Sequence, residues 1–169
     1  MSQHTDSLLR TDALKELQQP RIALVYTEWN EVVVKEQLKG CHKIAEQFGA
    51  VITDSIAVPG SFEIPFACRQ LWLKREHLPV QQRPQAIITF GAVIRGGTPH
   101  FEYVCKAVTE GITQLNLMLP IPVIFGVLTV DNEAQIWERL GGIHGHKGEE
   151  AAITALKMIR MAEEIGKAG

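Results

Sequence analysis

The stretch Gly91-Ala92-Val93-Ile94-Arg95-Gly96-Gly97-Thr98-Pro99-His100 gathers more chemically useful residues than any other part of this 169-residue chain. It runs from an apolar segment through two adjacent glycines to an expected helix start. Gly96 and Gly97 let the backbone approach a ligand closely and reach dihedrals closed to other residues. With Thr98 as N-cap and Pro99 at the first helical position, unpaired N–H groups and the positive end of the helix dipole face the loop. Such a loop suits an anion, phosphate above all. The bland alternative is a structural turn carrying a solvent-facing histidine, since the longer P-loop and dinucleotide signatures are absent. His100 is the best candidate proton carrier. A helix N-terminus disfavours its imidazolium while a bound phosphate dianion favours it, and the two effects together leave it near neutrality, as acid–base work needs.

Other residues have two readings each. Trp29 is either a plug at a core edge or a flat platform for a planar ring. Glu63, at the start of an expected helix, either complements the helix dipole or bonds to a polyol. Lys147 precedes the last expected helix, where a cation is disfavoured, so an anionic partner or ligand would rationalise it. Arg139 lies near a helix end that favours cations and says little alone. His144 and His146 have no further ligand types nearby, so no metal site is expected.

These residues need elements to hold them. Arg21 to Tyr26 and Val51 to Val58 read as buried strands, as do Ala86 to Val93 and Pro122 to Thr129. Between them, Val34, Leu38, Cys41, Ala45 and Phe48 recur at helical spacing, as do Val104, Val108, Gly111, Leu115 and Met118. Gly49 stops the first helix. Ser61 is expected to cap the second, with Pro65 in its first turn, and Asp131 a short helix ending near Leu140. The last helix runs from Gly148 to about Ile165. Continuously apolar strands alternating with helices predict an α/β fold: a three-layer α/β/α sandwich with a four-stranded parallel sheet, flavodoxin-like. Ligands in such sheets bind beyond the carboxyl ends of the strands, where Trp29, Glu63 and the glycine loop emerge. Residues 1–20 are expected to form an arm, mobile or docked on a neighbour, with 11–19 helical; residues 21–169 form one domain.

Composition bounds the partners. Lys and Arg total 17 against 19 Asp and Glu, a net charge of -2, which leaves no electrostatic footprint for nucleic acid. No apolar run approaches the ~20 residues of a membrane span, and no secretory signal is visible. Cys41, Cys68 and Cys105 form no C-x-x-C pair and sit in apolar-periodic segments, so buried free thiols and a cytoplasmic location are expected.

Together these blocks resemble lumazine synthase from Arg21 to about Met161. Val58-Pro59-Gly60-Ser61-Phe62-Glu63-Ile64-Pro65 looks like that family's ribityl-binding turn, and Gly91 to Val104 like its phosphate loop and catalytic histidine. Pro122 to Thr129 resembles its fourth strand, followed by Glu138-Arg139 and Gly145-His146-Lys147-Gly148. The resemblance implies cofactor-independent condensation of 5-amino-6-(D-ribitylamino)uracil with 3,4-dihydroxy-2-butanone 4-phosphate to 6,7-dimethyl-8-ribityllumazine, the penultimate step of riboflavin biosynthesis. It implies that Trp29 stacks on the uracil, that Ser61, Phe62 and Glu63 hold the ribityl chain, and that Ala92, Val93 and Ile94 present backbone groups to the pyrimidine. Gly97, Thr98 and Arg139 would bind the phosphate, His100 would move protons, and Phe125 and Lys147 would complete the pocket. It further implies a homopentamer, with a 60-subunit shell permitted, and active sites shared between subunits.

Three departures stand out. Glu28-Trp29-Asn30 occupies the place of a frequent Arg-Phe-Asn, Pro99 removes one N–H donor, and His146 stands where asparagine is common. The rival readings are a non-catalytic flavin- or lumazine-binding relative and a generic flavodoxin-like domain. The retained Thr98, His100, Arg139 and Lys147 favour catalysis over the first. The missing aspartate pair after the first strand speaks against the second.

Overall fold

The computed structural model describes residues 10–167. Four parallel strands, β1 (Arg21–Thr27), β2 (Val51–Val58), β3 (Ala86–Ile94) and β4 (Val123–Val130), form one sheet in the order β2-β1-β3-β4. The central strands β1 and β3 are buried almost throughout, which explains their unbroken apolar sequences. Side chains alternate across the sheet, so Ile22 and Leu24 enter one core while Ala23 and Val25 enter the other.

Helices cover both faces. α1 (Glu31–Gln47) and α5 (Lys147–Lys167) supply Cys41, Ile44, Ala152 and Leu156 to the first core. α2 (Ile64–Arg75) and α3 (His100–Met118) supply Ile64, Cys68, Val108 and Ile112 to the second. The expected α/β/α sandwich is therefore present. Gly49 ends α1's segment at φ +64, a left-handed turn that glycine takes without strain. Asp12–Glu16 is a short 3-10 helix, and Leu14 and Leu17 pack into the first core. That agrees with the helical reading of 11–19 over 12–16 only, since 17–19 leave the helix; residues 1–9 of the expected arm lie outside the described residues. No helix of the described residues is long and apolar enough to cross a membrane.

Several local expectations change. α3 starts at His100 with Pro99, not Thr98, at the N-cap, and no side chain caps it. Proline's fixed φ suits the helix entry, but it displaces the boundary by one residue. α4 (Glu133–Glu138) is capped by Asn132, whose Oδ1 accepts the Gln135 N–H at 3.2 Å. Asp131 is unavailable for that role because its Oδ1 accepts from Arg95 Nε at 2.7 Å. Ser61 opens a 3-10 turn (Ser61–Glu63) instead of capping α2, while Pro65 does fall in the first turn of α2. Between α4 and α5 lies a hairpin the sequence did not announce, β5 (Leu140–Gly142) and β6 (Gly145–His146). Cys41 and Cys68 are buried as expected, whereas Cys105 is only partly covered.

Candidate active site

Because every strand runs the same way, four loops leave the sheet at one edge. β1 pairs with β3 only as far as Tyr26 and Phe90, while β3 continues beside β4 to Ile94. Residues 91–94 therefore overhang β1, and backbone groups turned toward β1 have no strand to bond. This gap sits where the chain, having gone from β1 outward to β2, returns to build β3 and β4 on the other side. Such a topological switch is where open α/β sheets bind ligands.

The gap is lined from three strands. At the end of β1, the Thr27 hydroxyl donates to the Trp29 carbonyl at 3.0 Å, and the Trp29 N–H donates to the Pro59 carbonyl at 3.2 Å. Trp29 projects into solvent, 74% exposed. An indole so exposed is not a core plug. Asn30 has φ 60, a conformation few non-glycine residues tolerate, and its Nδ2 donates to the Ala92 carbonyl at 2.9 Å. That bond straps the β1 loop to the overhang. Alternation along the strand directs the backbone groups of Ile94 to the same side.

From β2, the Pro59-Gly60 turn brings Ser61 and Glu63 to this edge. Ser61 is buried, and a Cβ at Gly91 would lie 3.0 Å from its Oγ and 2.9 Å from Thr27 Cγ2, so the three loops meet in close contact. A Cβ at Gly60 would sit 3.2 Å from Glu63 Oε2 and 3.7 Å from Trp29 Cδ1. Glu63, Trp29 and Gly60 thus share one corner, with Phe62 exposed beside them. Ala92 is buried; Val93 and Ile94 are half-buried.

The loop from β3 to α3 carries Gly97, Thr98 and His100, all exposed. Arg95 organises it. Its backbone N–H donates to the Val130 carbonyl at 2.9 Å, and its guanidinium bonds both Asp131 and Glu102. It also lies over the Phe101 ring, 4.1 Å from the centroid, a cation–π contact. The two carboxylates, Asp131 first, raise the Arg95 pKa, and Arg95 in turn lowers that of Glu102. Its charge is spent on fixing the loop, so Arg95 is not a spare cation for a ligand.

Phe125, Arg139 and Lys147 sit elsewhere. Phe125 pairs with Thr89 on β4, which is the sheet's edge strand, with β3 between it and β1. Phe125 and Lys147 line a 390 Å³ cleft with Asn116, Pro122, Val123 and Glu150. The hairpin keeps Arg139 next to Lys147, whose N–H donates to the Arg139 carbonyl at 2.8 Å. Neither cationic side chain has a partner among the described residues. The structure therefore brings the expected residues together as two groups, one at the carboxyl gap and one along the outer edge of β4.

Sequence reasoning missed Asn30, Arg95, Glu102 and Asp131 as shapers of the site. Asn30 carried a signal, since asparagine directly before a helix and after a strand marks a left-handed turn. The Arg95 bridge carried none, because its partners lie 7 and 36 residues away. No group of three His, Cys, Asp or Glu among the described residues is placed to hold a metal.

Comparison with known proteins covers both groups. A family model described as 6,7-dimethyl-8-ribityllumazine synthase matches residues 19–163. A protein of that name from Porphyromonas gingivalis is 45% identical over 141 residues, covering 82% of this chain and 83% of its own. One from Parabacteroides distasonis is 43% identical over 143 residues, covering 83% and 85%. One from Bacteroides fragilis is 40% identical over 149 residues, covering 87% and 99%.

Proposed function

The chain belongs to the 6,7-dimethyl-8-ribityllumazine synthase family, and we propose that it works through an active site assembled from two neighbouring copies of itself. It is an enzyme of riboflavin biosynthesis that condenses 5-amino-6-(D-ribitylamino)uracil with 3,4-dihydroxy-2-butanone 4-phosphate. One subunit offers the gap beside the β3 overhang; the next offers the outer edge of β4. The observation that carries this reading is the separation of the two residue groups. Phe125 lies on β4, two strand spacings or about 10 Å from β1, which leads to Trp29, and three from β2, which leads to Ser61 and Glu63; Lys147 lines the cleft beside Phe125 and is bonded to Arg139.

In the gap, Trp29 stacks on the uracil, and backbone groups of Ala92 and Ile94, with Val93 between them, meet its polar edge. Ser61, Phe62 and Glu63 hold the ribityl chain. Gly97 and Thr98 take the phosphate with the neighbour's Arg139, while the neighbour's Phe125 and Lys147 close over the heterocycle. The amine attacks the ketone carbon, and water leaves to give an imine. The carbon–oxygen bond to phosphate then breaks, and the second amine closes the ring with loss of water. His100, at the first turn of α3 and open to the loop, moves the protons. Much of the rate comes from holding two reactants in register.

The assembly is a homopentamer in the cytoplasm. Three free thiols suit a reducing compartment. Tyr103, Leu117 and Met118 expose apolar surface on α3, with Leu117 83% exposed, which a neighbouring subunit would cover. Subunit mixing tests the shared site. His100→Ala and Arg139→Ala proteins, each retaining about a tenth of wild-type activity or less at limiting butanone phosphate, are unfolded, reassembled together and assayed under that condition. Random mixing pairs an intact gap with an intact edge at about one quarter of the sites, so about that fraction of activity returns. Recovery of none, with mixed oligomers verified by mass spectrometry, would sink the shared site.

A further inference from the structure

His146 does two jobs at once where α5 begins. It immediately precedes Lys147, the first residue of the helix, and its Nδ1 accepts the Gly148 N–H at 3.2 Å. That is the bond an N-cap side chain makes to the second helical residue. With Nδ1 accepting, the ring proton resides on Nε2, which faces Glu36 Oε1 of α1 at 3.6 Å. Glu36 in turn bonds Lys39 at 3.3 Å, so the ring's outer edge meets a paired carboxylate.

The same ring is a wedge. A Cβ at Gly40 of α1 would collide with the His146 imidazole, and one at Gly148 would collide with the Gln37 carbonyl. α1 and α5 therefore meet backbone to backbone at Gly148, and the imidazole fills the notch at Gly40. His146 also pairs with Leu140 across the β5–β6 hairpin. One side chain thus ties the hairpin and the start of α5 to α1. The residues flanking that tie are Arg139 and Lys147, linked by the Lys147 N–H to Arg139 carbonyl bond at 2.8 Å.

We propose that His146 is the positioning residue for Arg139 and Lys147, setting the edge that one subunit presents to its neighbour's substrates. This rests on the reading that those two cations meet substrate. In this role the imidazole caps α5 from the residue before its first, and the absence of a side chain at Gly40 of α1 makes room for it.

The test is steady-state kinetics of the assembled enzyme with both substrates varied. His146→Ala removes cap and wedge; it raises KM for both substrates about fivefold, the size of one lost cap, with kcat nearly unchanged. His146→Asn restores an acceptor and returns both KM values to near wild type. Gly40→Ala raises KM in the wild-type background but not beside His146→Asn, because the smaller amide leaves the notch open. Should His146→Ala fail to fold, His146→Leu fills the notch without an acceptor, and the same KM rise is expected. Unchanged KM in folded His146→Ala or His146→Leu overturns the proposal, as does a His146→Asn enzyme that folds but keeps the high KM. Arg139→Ala and Lys147→Ala run beside them separate the two levels. If those raise KM while the His146 variants do not, the positioning role alone fails. If they too leave KM unchanged, the reading of the edge as a substrate surface fails.

Discussion

On the proposed reading, His100 and Arg139 divide the labour at the level of single side chains, and kinetics can separate them. A proton carrier acts on the barrier, whereas a phosphate-binding cation acts on affinity as well. His100→Ala is expected to lower kcat about a hundredfold with little change in the KM for the butanone phosphate. Arg139→Ala is expected to raise that KM tenfold or more, the scale of a lost charge-assisted hydrogen bond. Wild-type turnover in His100→Ala removes it from the mechanism. The thiols make a separate prediction. Burial pushes Cys41 and Cys68 up to about 12, so neither holds appreciable thiolate at pH 8. Iodoacetamide should leave both unmodified in the folded protein and label them after unfolding, as read by peptide mass spectrometry.

At the scale of elements, the site depends on two straps. Asn30 joins the β1 loop to the β3 overhang and does so from a left-handed backbone. Asn30→Gly keeps that conformation and loses only the bond, whereas Asn30→Ala loses both. Thermal denaturation should show Asn30→Ala as the less stable, with Asn30→Gly costing about 1 kcal/mol. Equal losses would mean that the turn's conformation contributes nothing. Arg95 is the second strap, holding the glycine loop between Glu102 of α3 and Asp131 beyond β4. The hydrogen bond from Arg95 lowers the Glu102 pKa from its usual 4.5. A depressed folded value means the bridge contributes fully above the unfolded pKa and is lost as pH falls through the lower folded one. Exchange of the Arg95 amide, bonded to the Val130 carbonyl at the base of the loop, should therefore rise below pH 4.5 once corrected for intrinsic pH dependence, and Glu102→Gln should bring that rise to neutral pH.

On the proposed reading, one whole molecule supplies half of each site. The gap lies at the switch point between β1 and β3, whereas Arg139 and Lys147 flank the hairpin that follows the edge strand. Tyr103, Leu117 and Met118 leave apolar area on α3 that water does not favour. Leu117→Lys is expected to yield smaller species in sedimentation velocity while circular dichroism stays native. Activity should fall in the same variant, because a lone subunit lacks the neighbour's Arg139 and Lys147. Full assembly by Leu117→Lys would move the contact surface off this face.

Much of this was legible in the residues themselves, because it follows from local rules. Side-chain period separates β1 and β3 from α1 and α3, and unbroken apolar runs place those strands in the middle of a parallel sheet. Gly96-Gly97 leading to His100 was expected to join a strand's carboxyl end to a helix, and it does join β3 to α3. What the chain alone left undecided were contests between distant groups. Asp131 could cap α4 or bind Arg95, and the fold brings Arg95 near enough to take it, leaving the cap to Asn132. Whether Trp29 would be covered, and whether Phe125 and Lys147 would share a pocket with it, depended on β4 lying at the edge with β3 between. Local sequence sets backbone and face, but partners of a charge and the distance between strands are fixed only when the layers pack.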